Sequence, residues 1–464
     1  MKKLLIAALL LGPAAAQTFP SAEERAAIAA ASTAERDREM KALGIAEMQH
    51  GATAYDIGKP GNANYDEALA NPYPNIPDVL TFQNGAKVKS VAVWKKRKAE
   101  IRALFDENVY GKYPAHIPKV TWHVDDVTQQ EVGGIAATVK HVTGHVDNSA
   151  DPAMSVEIKL DVVTPASTKG HKVPVILGGG SIRPRMVFPS PPPGAPVHTL
   201  SQLADPPDST KLLLAKGWGF VWENDSDVQA DNGVGLNKGI IGLVNHGQPR
   251  KPDDWGVLRA WAWAHSRALD YLQTDPDVNG KAVGVMGHSR GGKAALVTMA
   301  DDPRFAIGFI SSSGAGGADL YRRNYGETMG NLAGTSEYHW FAANFLRYVA
   351  VGHNASEMPV DSDEFIALVA PRPLFIGGGA LLTDPQYVPG DAWQDAQGMF
   401  MAASLASPVW ELLGRKGLGT ATFPPMNTLI DSGDIAWRQH QYGHTPAPNW
   451  PYFIDFASRY FKTQ

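Results

Sequence analysis

Cysteine is absent from the 464-residue chain. Disulfide bonds, thiolate metal sites and cysteine nucleophiles are therefore excluded. Basic residues are not in excess, since the formal net charge is −5, and this balance argues against a nucleic-acid-binding surface. No segment is long and apolar enough to be a membrane helix. With 44% hydrophobic residues, the composition indicates a globular protein that has no nucleic-acid or membrane partner.

The first 16 residues have the pattern of a secretory signal peptide. Residues 1–3 carry positive charge, residues 4–11 are apolar, and an alanine-rich stretch up to Ala16 resembles a cleavage site. The apolar run is too short to span a bilayer. We therefore expect a secreted or periplasmic monomer, with an N-terminal extension at 17–60 and a catalytic domain at 61–464.

A Gly-x-Ser-x-Gly pattern centred on Ser289 follows the apolar run 283–286 and precedes a small-residue, helix-prone run. This strand–turn–helix context is typical of a nucleophile elbow. Gly287 and Gly291 permit the tight turn, because a Cβ would not fit there. The amide groups at the helix start point to the place where an oxyanion could form. We predict that Ser289 is a nucleophile.

Strand-like and helix-like segments alternate through the C-terminal two-thirds of the chain, which predicts a mainly parallel sheet with helices on both faces, the α/β-hydrolase fold. Antiparallel edge strands are predicted at 120–125, 135–145 and 155–163. Core strands are predicted at 173–177, 219–222, 283–286, 305–310, 373–376 and 427–430. Helices are predicted at 21–43 (loosely attached), 94–110, 255–272 and 452–461, with an insertion at 183–209 and a loop at 223–253.

A serine hydroxyl needs a base beside it and a carboxylate that orients the base. In this fold the chain order is serine, acid, histidine. His444 fits the loop after the last strand, and it is favoured over His440 because a preceding glycine and a following Thr-Pro shape its loop. Three carboxylates, Asp384, Asp391 and Asp395, follow the penultimate strand. The residues alone do not choose between them.

The segment 287–293, Gly-His-Ser-Arg-Gly-Gly-Lys, resembles the signature of the glucuronoyl esterases, carbohydrate esterase family 15. Further motifs similar to that family, some of them like its bacterial members, lie at 64–67, 71–74, 313–317, 322–323, 326–328, 339–341, 370–373 and 443–444. The resemblance covers roughly residues 60 to 460. It is far more specific than the Gly-x-Ser-x-Gly pattern alone.

The resemblance implies roles for the residues around Ser289. Arg290 would add a guanidinium to the backbone amides that stabilise the oxyanion. Lys293 lies one helical turn after the serine, and it would contact hydroxyl groups of a sugar ring. Glu327 would accept hydrogen bonds from sugar hydroxyls, and Trp393 would line the same pocket with its indole N–H.

One position departs from the family pattern. Many members place a catalytic glutamate where this chain has Ser312, and a serine cannot orient an imidazole by charge. Bacterial members can use a carboxylate in a later Asp-x-Trp context, which Asp391 and Trp393 match. The resemblance therefore favours Asp391 over Asp384 as the acid that orients His444.

The function implied by the resemblance is a serine esterase that works through an acyl-enzyme and needs no metal or organic cofactor. Its substrate would be glucuronoxylan or a lignin–carbohydrate ester, in which (4-O-methyl-)glucuronic acid on xylan is esterified. Two other hypotheses stay open. One is another exported carbohydrate esterase, such as an acetylxylan esterase, and the other is an inactive carbohydrate-binding relative, which Ser312 favours.

Overall fold

The computed structural model describes residues 21–54, 60–179, 207–380 and 390–461. The predicted signal peptide, most of the predicted insertion at 183–209 and Asp384 lie outside these residues. No helix within the described ranges has the length and apolar character to cross a membrane.

Ten strands were found in the described ranges, and together they form one sheet. They are β1 (Val120–Val132), β2 (Ile135–Val146), β3 (Glu157–Pro165), β4 (Val173–Gly179), β5 (Gly219–Glu223), β6 (Val278–His288), β7 (Ile307–Ser311), β8 (Leu374–Gly378), β9 (Leu429–Ile430) and β10 (Ile435–Gln439). Their order across the sheet is β1-β2-β3-β5-β4-β6-β7-β8-β10-β9.

The six strands from β5 to β10 across the middle of the sheet run parallel. Strands β1, β2 and β3 are antiparallel and extend the sheet beyond β5, as the sequence predicts. In β4, Val175 and Leu177 pack in one apolar cluster and Ile176 packs in a second. Since neighbouring side chains of a strand point to opposite faces, the sheet is covered on both sides, which is the predicted α/β-hydrolase fold.

Eleven α-helices lie in the described ranges. They are α1 (Ala22–Leu43), α2 (Val91–Asn108), α3 (Ser209–Ala215), α4 (Asp225–Val228), α5 (Gly239–Asn245), α6 (Val257–Leu272), α7 (Arg290–Asp301), α8 (Met329–Leu332), α9 (Ser362–Ala367), α10 (Ala396–Leu412) and α11 (Trp450–Ala457). The predicted helices correspond to α1, α2, α6 and α11. The predicted loop at 223–253 was wrong in part, since it contains α4 and α5.

Helix α1 is held to the rest of the chain, contrary to the expectation of a loose attachment. Its start is fixed by a capping box, in which the Ser21 side chain accepts from the Glu24 N–H and the Glu24 carboxylate accepts from the Ser21 N–H. Near its end, buried Glu39 forms an ion pair with buried Arg250, with 2.7 Å between Oε1 and Nε. A buried pair of this kind is costly to break.

The last core strand differs from the prediction. The segment predicted at 427–430 supplies only the two-residue edge strand β9, and β10 is the strand that pairs with β8. The sequence pattern does not predict β10 because Arg438 interrupts its apolar run. In the fold Arg438 is buried, and its guanidinium donates to Asn449 Oδ1 at 2.6 Å.

Candidate active site

Ser289 stands at the sharp turn between β6 and α7. Its backbone adopts φ 59° and ψ −130°, a strained conformation for a residue with a side chain. A Cβ at Gly287 would overlap the carbonyl oxygen of Gly291, so the turn requires glycine there. The Ser289 N–H donates to the carbonyl of Ser311 on β7 at 2.9 Å. The elbow predicted from the sequence is therefore built as a nucleophile elbow requires.

His444 lies on the loop after β10, next to the elbow. Its ring centroid is 4.2 Å from that of His288, the residue that precedes Ser289. Its Nδ1 is 2.7 Å from Asp391 Oδ1, and 28% of its side chain is exposed. His440, the rival in the sequence, is fully buried and its Nε2 lies 2.8 Å from the carbonyl oxygen of Thr445. The His440 ring therefore makes its hydrogen bond within its own loop.

Asp391 is almost fully buried and is surrounded by donors. Oδ1 faces His444, whereas Oδ2 accepts from the Ser312 hydroxyl and the Gly379 N–H. Burial raises the pKa of this carboxyl, but the hydrogen bonds and charge of His444 outweigh burial and lower the pKa to about 2. Since Asp391 is ionised, the proton of a neutral His444 sits on Nδ1, and Nε2 is left as an acceptor.

The other two carboxylates considered as the acid are placed differently. Asp384 lies outside the described residues. Asp395, four residues after Asp391, is buried and accepts from Arg323, with 2.5 Å between Nε and Oδ2. Arg323 also binds Glu67, at 2.9 Å. Asp395 therefore anchors the start of α10 and does not contact His444.

Ser312 follows β7 and has a left-handed backbone, with φ 45°. The structure brings this serine, which stands where many family members have a glutamate, into contact with Asp391. Its hydroxyl donates to Asp391 Oδ2. The position that carries an acid in those members here supplies a hydrogen bond to an acid on another loop.

Arg290 is the first residue of α7, and 58% of its side chain is exposed. Its guanidinium binds Asp231, a residue on the segment between β5 and α6 that sequence reasoning missed. Asp231 also lies 2.9 Å from His339 Nε2 and accepts from Trp340 Nε1 at 2.6 Å. Burial raises the pKa of Asp231, but the hydrogen bond of His339 and the charge of Arg290 lower it to about 2. An ionised Asp231 thus orients Arg290 beside Ser289.

Lys293 lies one turn further along α7 and is buried. Its ammonium donates to the carbonyls of Ser313 at 2.8 Å and Ala315 at 2.5 Å, and to Glu327 Oε2 at 2.7 Å. All three ammonium hydrogens thus have protein acceptors. Contact with a sugar hydroxyl, which the family resemblance implies, requires that one of these hydrogen bonds be shared or replaced.

Two further groups lie near the Lys293–Glu327 pair. The carbonyl of Trp393 accepts from the Glu327 N–H at 2.8 Å, which joins the predicted tryptophan to the predicted glutamate. Glu337 was missed from the sequence. Burial and the nearby charge of Glu327 raise its pKa to about 8, against the opposing charge of Lys293. Its Oε2 is inaccessible to solvent and has no hydrogen-bond partner in the described part of the chain.

Asp231 and Glu337 had weak signals in the sequence. Glu337 lies two residues before the 339–341 motif that contributed to the family resemblance, and Asp231 binds two residues of that motif. Both belong to segments without regular periodicity, so their approach to Ser289 depends on tertiary contacts.

Comparisons with known proteins identify the family. A family model described as glucuronyl esterase, fungi, matches residues 250–414. Carbohydrate esterase MZ0003, from an unknown prokaryotic organism, is 32% identical over 87% of this chain and 93% of its own length. A 4-O-methyl-glucuronoyl methylesterase from Schizophyllum commune is 28% identical over 80% of this chain and 81% of its own length.

Solved structures give the same result. A CE15 glucuronoyl esterase from Teredinibacter turnerae shares 37% identity with a TM-score of 0.81, and the alignment covers 92% of this chain and 99% of that one. A glucuronoyl esterase from Solibacter usitatus shares 33% identity with a TM-score of 0.71, over 85% of this chain and all of that one. This chain therefore belongs to the glucuronoyl esterases of carbohydrate esterase family 15.

Proposed function

We propose that this protein is a serine esterase that hydrolyses esters of glucuronic acid or 4-O-methylglucuronic acid carried on xylan, as in lignin–carbohydrate ester links. The observation that carries the proposal is the placement of a His444–Asp391 pair and a buried Lys293–Glu327 pair around one elbow serine. The relatives named as 4-O-methyl-glucuronoyl methylesterases supply the substrate class.

The first half of the reaction forms an acyl-enzyme. Ser289 Oγ attacks the ester carbonyl, and its proton passes to His444 Nε2. The imidazolium that forms is stabilised by Asp391, which is ionised and 2.7 Å from Nδ1. The tetrahedral intermediate then expels the alcohol, which takes its proton from Nε2.

The oxyanion is stabilised by Arg290 and by backbone amides at the start of α7. Because Asp231 holds the guanidinium before a substrate arrives, little reorganisation is needed as the charge develops. A charged donor makes a stronger hydrogen bond to an oxyanion than a neutral one does.

The second half of the reaction releases the uronic acid. Water attacks the acyl carbon and gives its proton to His444 Nε2, and the second tetrahedral intermediate breaks the bond to Ser289. The proton returns to Ser289 Oγ, so the enzyme is restored. The acid product is the uronic acid. The alcohol product is a lignin-type alcohol or, with a methyl ester as test compound, methanol.

The uronate ring is bound on the other side of Ser289. Glu327 and Lys293 recognise its hydroxyls, Trp393 contributes its indole to the pocket, and Glu337 offers a further carboxyl. Charged groups that exchange internal partners for ligand hydroxyls favour a sugar over an apolar acyl group.

We further infer that the protein acts outside the cytoplasm as a monomer, with the signal peptide at 1–16 removed and 61–464 serving as the catalytic domain. The support is the residue pattern at 1–16 and the polymeric nature of the proposed substrate.

Incubation of the full-length mature chain with methyl 4-O-methylglucuronate and, separately, with acetylated xylan tests the proposal. We expect uronic acid from the first substrate and little acetate from the second. Acetate without uronic acid would assign the protein to the acetylxylan esterases. Binding of glucuronoxylan without turnover of either ester would instead indicate an inactive carbohydrate-binding relative.

A further inference from the structure

A second group of ionisable residues lies two strands away from the elbow. Glu223 is the last residue of β5, Asp225 is the first of α4, and His265 is on α6. One ligand atom from each of the three lies within 4.8 Å of the other two. Glu223 has 0% exposure, and neither of its carboxylate oxygens has a hydrogen-bond partner within the described ranges. An unsatisfied buried carboxylate is costly unless something else binds it.

The hydrogen bonds of His265 define which nitrogen faces the group. Thr298 donates its only hydroxyl hydrogen to the carbonyl of Ala294 at 2.9 Å. His265 Nδ1 is 2.7 Å from the same hydroxyl oxygen, so Nδ1 must carry a hydrogen and donate it. His265 Nε2 lies 2.9 Å from Asp225 Oδ1. Nε2 is therefore the His265 nitrogen that faces the two carboxylates. It donates to Asp225, and a metal ion bound there would displace its hydrogen.

Glu223 is the member of this group that lacks a partner. Asp225 pairs with His265, whereas no lysine, arginine or histidine of the described segments forms an ion pair with Glu223. A divalent cation would bind one oxygen of each carboxylate and, once the hydrogen of Nε2 is displaced, His265 Nε2, so that Glu223 would gain a partner. One imidazole nitrogen with two carboxylate oxygens is a ligand set typical of transition metals, since Mg²⁺ and Ca²⁺ prefer oxygen ligands alone.

We propose that Glu223, Asp225 and His265 form a binding site for a divalent transition-metal ion of the Zn²⁺ type. The site is separate from the elbow and takes no part in ester cleavage. Glu223 and His265 are buried, whereas 15% of the Asp225 side chain is exposed. Asp225 thus gives the ion a route from solvent, and a water can complete the coordination.

The metal would tie the end of β5 to α6. The segment that leaves this site reaches Asp231 six residues after Asp225, and Asp231 holds Arg290. Trp261, one turn before His265 on α6, donates to the carbonyl of Gln229 on the same segment at 2.9 Å. Metal binding would therefore stabilise the segment that positions the arginine beside Ser289.

Zinc binding to the tag-free mature protein tests the proposal. After treatment with a chelator and dialysis, ZnCl₂ titration by calorimetry should give one site per chain, and saturation should raise Tm. Glu223→Gln keeps the shape of the side chain but removes one ligand charge, and we expect zinc to bind at least about tenfold more weakly, in line with the ten- to hundredfold cost of disturbing a metal site. At the same zinc concentration the Tm of this variant should then rise less than that of wild type.

A surface control separates this site from adventitious binding. His141 Nδ1 is 2.6 Å from Asp161 Oδ1 on the exposed faces of β2 and β3, a pair that could bind zinc weakly. Asp161→Asn should leave the titration unchanged. The proposal is overturned if wild-type protein binds no zinc, if Asp161→Asn abolishes binding, or if Glu223→Gln binds as tightly as wild type.

Anomalous diffraction from a zinc-soaked wild-type crystal gives a readout that does not depend on the folding of any variant. We expect one peak between Glu223, Asp225 and His265. A zinc-soaked crystal with no peak there would contradict the proposal. Esterase activity is not needed for either measurement, so the metal site and the proposed esterase function can fail independently.

Discussion

The two sides of Ser289 contain a buried carboxyl group, Asp391, and a partly buried one, Glu337, whose pKa shifts are opposite. On the histidine side, which comprises Asp391, Ser312 and His444, donors surround Asp391 and lower its pKa to about 2. On the lysine side, which comprises Lys293, Glu327 and Glu337, burial raises the pKa of Glu337 to about 8. Burial is common to both carboxyls, so the difference comes from their partners.

This difference suits two tasks. The histidine side keeps a fixed negative charge that orients a base throughout the reaction. The lysine side holds charged groups that pair with one another until a ligand arrives, since Lys293 donates all three ammonium hydrogens to protein acceptors. We therefore expect substitutions on the histidine side to lower kcat and those on the lysine side to raise KM.

Asp391→Asn should have the largest effect of the substitutions that compare the two sides. Loss of the orienting carboxylate should lower kcat by about 10²- to 10⁴-fold with little change in KM, because the wrong tautomer of His444 is then favoured. Steady-state kinetics on methyl 4-O-methylglucuronate measure both constants. Asp395→Asn, on the same segment, is the control and should mainly lower Tm. If Asp384→Asn reproduced the loss and Asp391→Asn did not, the acid would be misplaced.

Glu327→Gln should come next. It removes one charged hydrogen-bond partner of Lys293 and of the proposed sugar hydroxyl, a change worth about 1.5–3 kcal/mol. That corresponds to a fall in kcat/KM of about ten- to hundredfold, and we expect most of it in KM. An equal fall in kcat with unchanged KM would show that the lysine side acts on the chemical step. The two sides of Ser289 would then not differ in task.

Ser312→Ala should have a smaller effect on the histidine side. It removes one of the donors to Asp391 but leaves Gly379 and His444 in place. Because the two remaining donors keep Asp391 ionised and in place, we expect kcat to fall by about tenfold or less, which corresponds to about 1.4 kcal/mol. Ser407→Ala, a buried serine on α10 that bonds Ala403, should leave kcat unchanged. Loss of all activity in Ser312→Ala would show that Gly379 and His444 cannot hold Asp391 in place without Ser312.

Glu337→Gln should change stability with pH and have the smallest effect. Unfolded glutamate ionises near pH 4.3, whereas folded Glu337 keeps its proton to about pH 8. The unfolded chain therefore binds fewer protons in this window, and this residue lowers stability as pH rises from about 4 to 8. The Tm of Glu337→Gln relative to wild type should increase from pH 5 to pH 8. The raised pKa of Glu337 would be refuted if the relative Tm of Glu337→Gln did not increase between pH 5 and pH 8. It would also be refuted if Glu131→Gln, at an exposed glutamate, gave an equal increase.

The sequence predicted the features that depend on local patterns. The elbow at Ser289 and the loop histidine at 444 follow from glycine placement and chain order, which short-range sterics decide. Asp391 was one of three carboxylates until the family resemblance favoured it, because its contact with His444 spans 53 residues. Strand β10 was missed because Arg438 breaks its apolar pattern. Asp231 and Glu337 were missed because irregular segments bring them to the site.

The central claim is that Ser289 forms the acyl-enzyme, and turnover of methyl 4-O-methylglucuronate by Ser289→Ala tests it most directly. The account predicts that kcat falls at least about 10⁴-fold, as for loss of other serine nucleophiles, while Tm and binding of the uronic acid product stay near the wild-type values. Release of uronic acid by Ser289→Ala at a rate near that of wild type would contradict the account.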